Sequence, residues 1–368
     1  MVDAAVVTIA RKEFLDLLFG RRFLLLLGIL LAVSVVGLVG GIGEYREMVD
    51  DYNDRLSAAG ETVLGGAMSE PPSVMLVFEH LASQLGLVLG IIGIATGFDL
   101  VARERETKSL KQLLAAPIYR DQVINGKALG GMAALVLALA LAFALSLAAL
   151  MVAGIVPTGD ELGRILLYGA GSLLLIASFF SCALAASAVS EESGTALVAS
   201  LIVFAVLALL VPVTVSETVM NVVAGEAPEP PVSFKDATAT VPNATGSAVT
   251  TTRIASTDLE SPEWQRYMAQ VQEYGERQRT VRDLCALLSP TMNFDAISRA
   301  LTGSAESVGA VRAAGGGNVR VFSVTKGDEA ESTGDRMAGV VKNFIALLVF
   351  PAVFFGIAYI RFMRLDVR

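Results

Sequence analysis

The stretch RERETKSLKQLLAAPIYRDQVINGK, Arg103 to Lys127, lies between two of the most apolar runs in the chain. It holds six Lys or Arg and three Asp or Glu around a central proline. The flanking runs, Leu81–Phe98 and Ala128–Gly159, carry no charge at all. A bilayer core ~30 Å thick is crossed by ~20 apolar residues in helical form. The charged stretch therefore reads as a loop joining two membrane spans, and its reading sets the class of the whole chain.

The remaining sequence agrees. Mean hydropathy is +0.62 over 368 residues, and 17% of residues are charged, against about 25% in soluble domains. Four further runs without Asp, Glu, Lys or Arg are Phe23–Gly43, Ile165–Ser190, Ser193–Ser216 and Asn343–Ile360, the last containing Pro351. Only helices and closed barrels satisfy backbone groups in lipid, and none of these runs alternates as barrel strands do. The sequence predicts an all-α polytopic membrane protein with six transmembrane helices. The run after Arg22 is too long for a secretory h-region and is expected to stay as the first span. A net charge of −8 argues against nucleic acid as a partner.

Basic residues orient the chain. With the N-terminus inside, the inner segments hold Arg11, Lys12, Arg21, Arg22, the six bases of the quoted stretch, Arg361, Arg364 and Arg368. The short outer loops hold Arg46, Arg55 and Arg164. This bias predicts cytoplasmic N- and C-termini. Residues 1–22 read as a cytosolic interfacial helix, with Val7, Ala10, Phe14, Leu17 and Leu18 on its apolar face. Residues 23–215 carry transmembrane helices 1–5, residues 216–337 an extracytoplasmic domain, and residues 338–368 the sixth helix and a basic tail.

The 216–337 segment is expected to be a small α+β domain between helices 5 and 6. Its first part is rich in Pro, Thr, Ala and Val and suits strands. Ser261-Pro262-Glu263 then starts a helix that Pro290 stops. A short helix over Asp295–Leu301 ends at Gly303, and GGGNVRVFSV suggests a hinge and a strand. Asn243-Ala-Thr245 matches an N-glycosylation sequon, a motif so short that chance accounts for it.

Catalytic chemistry is hard to find. His80 is the one histidine, Cys182 and Cys285 sit in unlike surroundings, and no HExxH or GxSxG is present. Gly126-Lys127 resembles the end of a Walker A loop, yet Asp121 stands where its first glycine belongs and Ala128 replaces Ser or Thr. The charge-free spans lack the acids, bases and histidines with which ion-coupled carriers work. Ser172, Ser178, Ser181 and Ser187 leave a neutral sodium site open, but such serines more often bond between helices. No enzyme activity, metal or cofactor is expected of this chain.

Within the quoted stretch, Arg103–Ala116 reads as a helix with Leu110, Leu113 and Leu114 on one face. Pro117 ends it, and a short turn from Tyr119 to Lys127 leads back into the membrane. The same residues resemble the signature of ABC-2 type transporter permeases, close to E-x-E-x-G-T-L-x-x-L-L-x-x-P-[IV]-x-R followed by G-K-x-x-G. Glu104, Glu106, Leu110, Leu113, Leu114, Pro117, Arg120, Gly126 and Lys127 fit it, whereas Lys108-Ser109 stands where Gly-Thr is usual. Residues 9–23, 287–303 and 358–368 are similar to other blocks of the family, and the large outer loop to its nitrous-oxide-reductase-maturation and gliding-motility branch.

The resemblance implies a dimeric permease subunit of the cell membrane, working with two copies of a separate ATPase that holds the ATP and Mg. Residues 103–127 would be the coupling helix, with Glu104, Glu106, Leu110, Leu113, Leu114, Pro117, Tyr119, Arg120 and Lys127 taking part in docking. Glu191-Glu192-Ser193 offers a minor second contact or a plain solvated turn. Export is the expected direction. The alternative is a non-transporting device that acts on an extracytoplasmic protein through residues 216–337.

Overall fold

The structure, a computed structural model, describes residues 4–59, 73–109, 118–214, 238–242, 248–255, 262–302, 312–313, 318–320 and 333–365. They divide into two compact units: Met1–Leu210 with Leu287–Gly303 and Gly339–Arg368, and Val211–Ala286 with Ser304–Ala338.

The first unit is a helical bundle. Helix α1 is Ala4–Leu18, α2 Arg21–Ala59, α3 Met75–Gly97 and α4 the short Ala102–Glu106. Helix α5 is Arg120–Val152, α6 Gly159–Val189 and α7 Ser193–Phe204. A π-helical segment, Ala205–Leu210, prolongs α7 and leads into α8, Val211–Thr214. Among the described residues six helical stretches are long and apolar enough to cross a membrane: Arg21–Asp54, Gln84–Glu106, Arg120–Val152, Gly159–Val189, Ser193–Val213 and Val340–Met363. They overlap the six charge-free runs, and α2 continues well past Gly43.

Span six lies within the final helix, which runs unbroken through Pro351 to Met363. The four serines of span four are buried. Ser172, Ser178 and Ser181 bond to carbonyls of their own helix, and Ser178 also reaches Leu347 O at 3.4 Å.

Small residues set a close helix pair. On α3, a Cβ added at Gly93 would meet Ile176 O at 2.7 Å, and one at Gly97 would meet Phe180 O at 2.7 Å. Backbone atoms cannot step aside as a side chain can, so α3 and α6 lie against each other only because these positions are bare. Helix α5 ends at Gly154, whose φ of +80° lets Ile155 N reach back to Leu150 O at 2.9 Å.

Away from the basic termini, Glu161 closes the start of α6 and binds α3. Its carboxylate accepts from Thr158 N and Oγ1 and from Val74 N and Ser73 Oγ. Helix α9 is Pro262–Leu288, in the second unit over most of its length; helix α10, Pro290–Thr302, belongs to the bundle. Helix α10 is longer than the expected Asp295–Leu301, because Ser289-Pro290 repeats the Ser-Pro pattern of the sequence at 261–262. Ser289 Oγ accepts from Met292 N at 3.3 Å and donates to Leu207 O at 2.6 Å. That carbonyl lies in the π-segment, where widening of the helix loosens the regular ladder. Phe294 and Ile297 of α10 are buried, Phe294 5.6 Å from the ring of Tyr168.

In the second unit, β1 is Thr238–Pro242, β2 Ala248–Ala255, β3 Arg312–Ala313 and β4 Asn318–Arg320. They form an antiparallel sheet ordered β1-β2-β4-β3, with Val241 opposite Val249 and Ile254 opposite Val319. Asn243 lies outside the described residues. The last helix, α11, is Thr333–Met363.

Candidate functional site

The basic end of the bundle collects α1, the start of α2, the end of α3, α4, the first turns of α5, the α6–α7 turn and the end of α11. At its centre Lys127 is 1% exposed. Its ammonium donates to Glu13 Oε1 and to Glu104 Oε1, each at 2.7 Å. A charge so buried persists only when paired and hydrogen-bonded. One lysine of the quoted stretch thus ties α5 to α1 and to α4.

The approach of α1 to α5 depends on the glycines beside Lys127. A Cβ on Gly126 would meet Ile9 Cβ at 2.7 Å, and one on Gly130 would meet Ala10 O at 2.6 Å. The Gly-Lys that resembles a nucleotide loop is therefore a helix-packing pair. The buried residues of α1 are Val6, Ile9 and Glu13, whereas Val7 is exposed. Ala10, Phe14, Leu17 and Leu18 of the expected apolar face are half-buried, the last three packed against the core, and the deepest residues lie beside them, where the ion pair to Lys127 draws Glu13 inward.

Helix α4 is fastened on every side. Ser187 Oγ of α6 accepts from Val101 N at 3.0 Å and Ala102 N at 2.9 Å, capping its start. Arg105 donates to Ser190 O at 2.7 Å and pairs with Glu191 at 3.4 Å. Glu106 accepts from Ser193 Oγ at 2.6 Å and Ser193 N at 3.2 Å. The Glu191–Ser193 turn thus holds the head of the quoted stretch, an arrangement the sequence reading left between solvation and partner contact.

The expected Arg103–Ala116 helix does not run through. Helix α4 stops at Glu106, and Lys108 takes φ +59°, a left-handed conformation. Thr107 N reaches Arg103 O at 2.9 Å and Lys108 N reaches Arg105 O at 3.0 Å, a turn that ends the helix. Lys108 is where the resembling signature has glycine, and the φ value supplies the reason: a Cβ is costly there. The separate turn expected from Tyr119 to Lys127 is instead the beginning of α5, which runs unbroken from Arg120.

The proposed docking residues divide accordingly. Glu104, Glu106 and Lys127 are spent on internal bonds. Arg120 donates to Leu365 O at 2.7 Å and Met363 O at 3.3 Å, closing the end of α11. Tyr119 is 75% exposed, and its N–H donates to Gln122 Oε1 at 3.1 Å. Leu110, Leu113, Leu114 and Pro117 lie outside the described residues. Sequence reasoning missed Glu13, for which an acid at the third position of the Val6, Ile9, Glu13 stripe was the available signal; Ser187, read as a serine bonding between helices, does so from α6 to the start of α4.

Residues 103–109 and 118–127 are the two ends of one loop, and their bonds reach α1, α5, α6, α7 and α11. Among the described residues no group of three or more His, Cys, Asp or Glu is placed to hold a metal ion.

A family model described as "ABC-2 family transporter protein" matches residues 7–367. The probable ABC transporter permease protein NosY of Pseudomonas aeruginosa is 32% identical over 192 residues, 51% of this chain and 62% of that protein. Its namesake from Stutzerimonas stutzeri is 32% identical over 157 residues, 43% and 48% of the respective lengths. The chain thus spans less than two thirds of the length of each of these relatives.

Proposed function

Because the chain belongs to the ABC-2 family of transporter proteins, we propose that it is the membrane-spanning subunit of an ATP-driven exporter whose ATPase docks on residues 103–127. Two copies of the chain and two of the ATPase make the working unit, with ATP and Mg held by the ATPase. The basic end faces the cytoplasm, the spans lie in the cell membrane, and residues 216–337 face outward. The carrying observation is the bracing of the loop. Its two ends are bonded to five helices, so a push on its middle reaches the spans without needing a flexible joint.

Leu110, Leu113 and Leu114 supply the apolar contact in this reading, while Glu104, Glu106, Lys127 and Arg120 carry the displacement inward. Replacing the three leucines with Asp should abolish co-purification with the partner ATPase, with membrane insertion unchanged. Undiminished complex formation would remove the docking assignment.

A second reading draws support from the compact unit that residues 211–286 and 304–338 make on their own. In it, ATPase motion acts on an extracytoplasmic protein rather than on a transported solute. Replacing residues 216–286 with a short linker, which leaves α10 in the bundle, separates the two: a transporter keeps substrate-stimulated ATP hydrolysis, whereas a mechanical device loses its partner.

A further inference from the structure

A cavity of about 600 Å³ opens at the basic end of the bundle, between α1, the start of α2, the end of α3 and the 102–109 turn. Its size falls in the range of small-molecule sites, and its wall is of two kinds. Leu17 and Leu26 line one part, beside the residues where span one enters the apolar layer. Five Lys or Arg and four Asp or Glu line the other.

Most of these charges are already committed. Arg22 pairs with Asp99 at 3.1 Å, Lys12 with Asp16 at 4.0 Å, and Lys127 with Glu13 and Glu104. Arg21 and Arg103 are exposed and take part in no ion pair among the described residues. On the other side, Glu104 Oε1 receives Lys127, but Glu104 Oε2 is buried without a hydrogen-bond partner. A buried carboxylate oxygen lacking a donor is costly. The cavity thus offers two guanidinium groups outside any ion pair among the described residues, of which Arg103 also acts at longer range on Asp99 and Glu106, together with carboxylates and an apolar wall.

We propose that this cavity binds the headgroup of phosphatidylethanolamine. The phosphate lies between Arg21 and Arg103, whose guanidinium groups suit bidentate contact with phosphate oxygens. The ammonium turns toward the carboxylates of the wall, Glu104 among them, and the acyl chains run along Leu17 and Leu26. Phosphatidylcholine brings the same phosphate but no N–H donor for Glu104. Phosphatidylglycerol adds a net negative charge beside Glu13, Asp16, Asp99 and Glu104 without an ammonium to offset it. The site so filled would steady the elbow between α1 and α2 against the 102–109 turn.

The test uses the purified full-length chain. It is reconstituted in vesicles of equal phosphatidylethanolamine, phosphatidylcholine and phosphatidylglycerol, re-extracted in mild detergent, and its retained lipid counted by mass spectrometry. Phosphatidylethanolamine should be retained in excess, and Arg21→Gln with Arg103→Gln should cut that excess about tenfold, the loss of one or two charge-assisted bonds. Arg277→Gln, on helix α9, should leave it unchanged. If the double variant fails to fold, Arg21→Gln alone, at an exposed helix start, carries the comparison. An undiminished excess in the arginine variants would overturn the site, as would equal retention of phosphatidylcholine or a preference for phosphatidylglycerol. Displacement by excess free phosphoethanolamine would overturn the lipid assignment in favour of a soluble phosphate ligand. No ATPase enters the measurement, so its outcome is independent of the coupling reading.

Discussion

Lys127 Nζ lies 2.7 Å from Glu13 Oε1, joining the first turns of α5 to a helix 114 residues earlier in the chain. The same ammonium lies 2.7 Å from Glu104. These two bonds make the signature lysine a structural hub rather than a surface group offered to a partner.

Removing that hub is expected to be severe. Lys127→Met leaves two carboxylates buried without their cation, and losing one partner of a buried pair costs about 3–5 kcal/mol. The melting temperature in detergent should fall sharply. Adding Glu13→Gln and Glu104→Gln should recover much of the loss, and a circular dichroism melt of the single and triple variants checks both.

Lys108 holds a left-handed backbone at φ +59°. Glycine occupies that region freely, whereas an L side chain is disfavoured there by about 1–2 kcal/mol. Glycine also loses more freedom on folding, so Lys108→Gly should stabilise by roughly 0.5–1 kcal/mol. Lys108→Val should destabilise, since a β-branched residue fits this conformation worst. Paired thermal melts of the two variants read the sign.

At the α3–α6 contact, the space at Gly97 is closed by Phe180 O and Ala183 Cβ, 2.7 and 2.9 Å from where a Cβ would sit. Gly97→Leu must push the helices apart. Overpacking of this kind costs typically about 1–3 kcal/mol, occasionally more, and backbone on one side makes the upper end the expectation. Gly28, with nothing within 4 Å of an added Cβ, is the matched control. Size-exclusion profiles should show aggregation for Gly97→Leu and none for Gly28→Leu.

Arg120 closes the last turn of α11 through Met363 O and Leu365 O. Arg120→Gln removes a charged donor from carbonyls that the helix itself leaves unpaired. Backbone amides near residues 361–365 should exchange hydrogen faster, while those in the middle of α5 should not change. Equal protection in both proteins would show that Arg120 is dispensable to the end of α11.

Ser187 caps the start of α4, accepting from Val101 N and Ala102 N. Ser187→Ala leaves two buried N–H groups without an acceptor, a loss of about 1–3 kcal/mol for an unsatisfied group. Faster exchange at residues 101 and 102, with unaltered exchange at Glu161, is the expected pattern.

The sequence by itself determined the class of the protein. Charge-free runs long enough to cross a bilayer are a one-dimensional property, and all six coincide with apolar helices because lipid leaves a spanning backbone few alternatives. The starts of α9 and α6 were equally local, written in Ser261-Pro262 and in Thr158 with Glu161, although only the former was read. The role of the quoted stretch was not local. Its charges look alike in sequence, and only the fold distinguishes Lys127, held by Glu13 from 114 residues away, from Arg103, which stays exposed. The same holds for Gly126 and Lys108. One is needed because α1 passes within reach, the other departs from glycine where the chain turns left-handed, and neither α1's path nor that turn is encoded by hydrophobic periodicity. Ion pairing and close backbone approach depend on what long-range folding brings together, and that the tertiary structure alone decided.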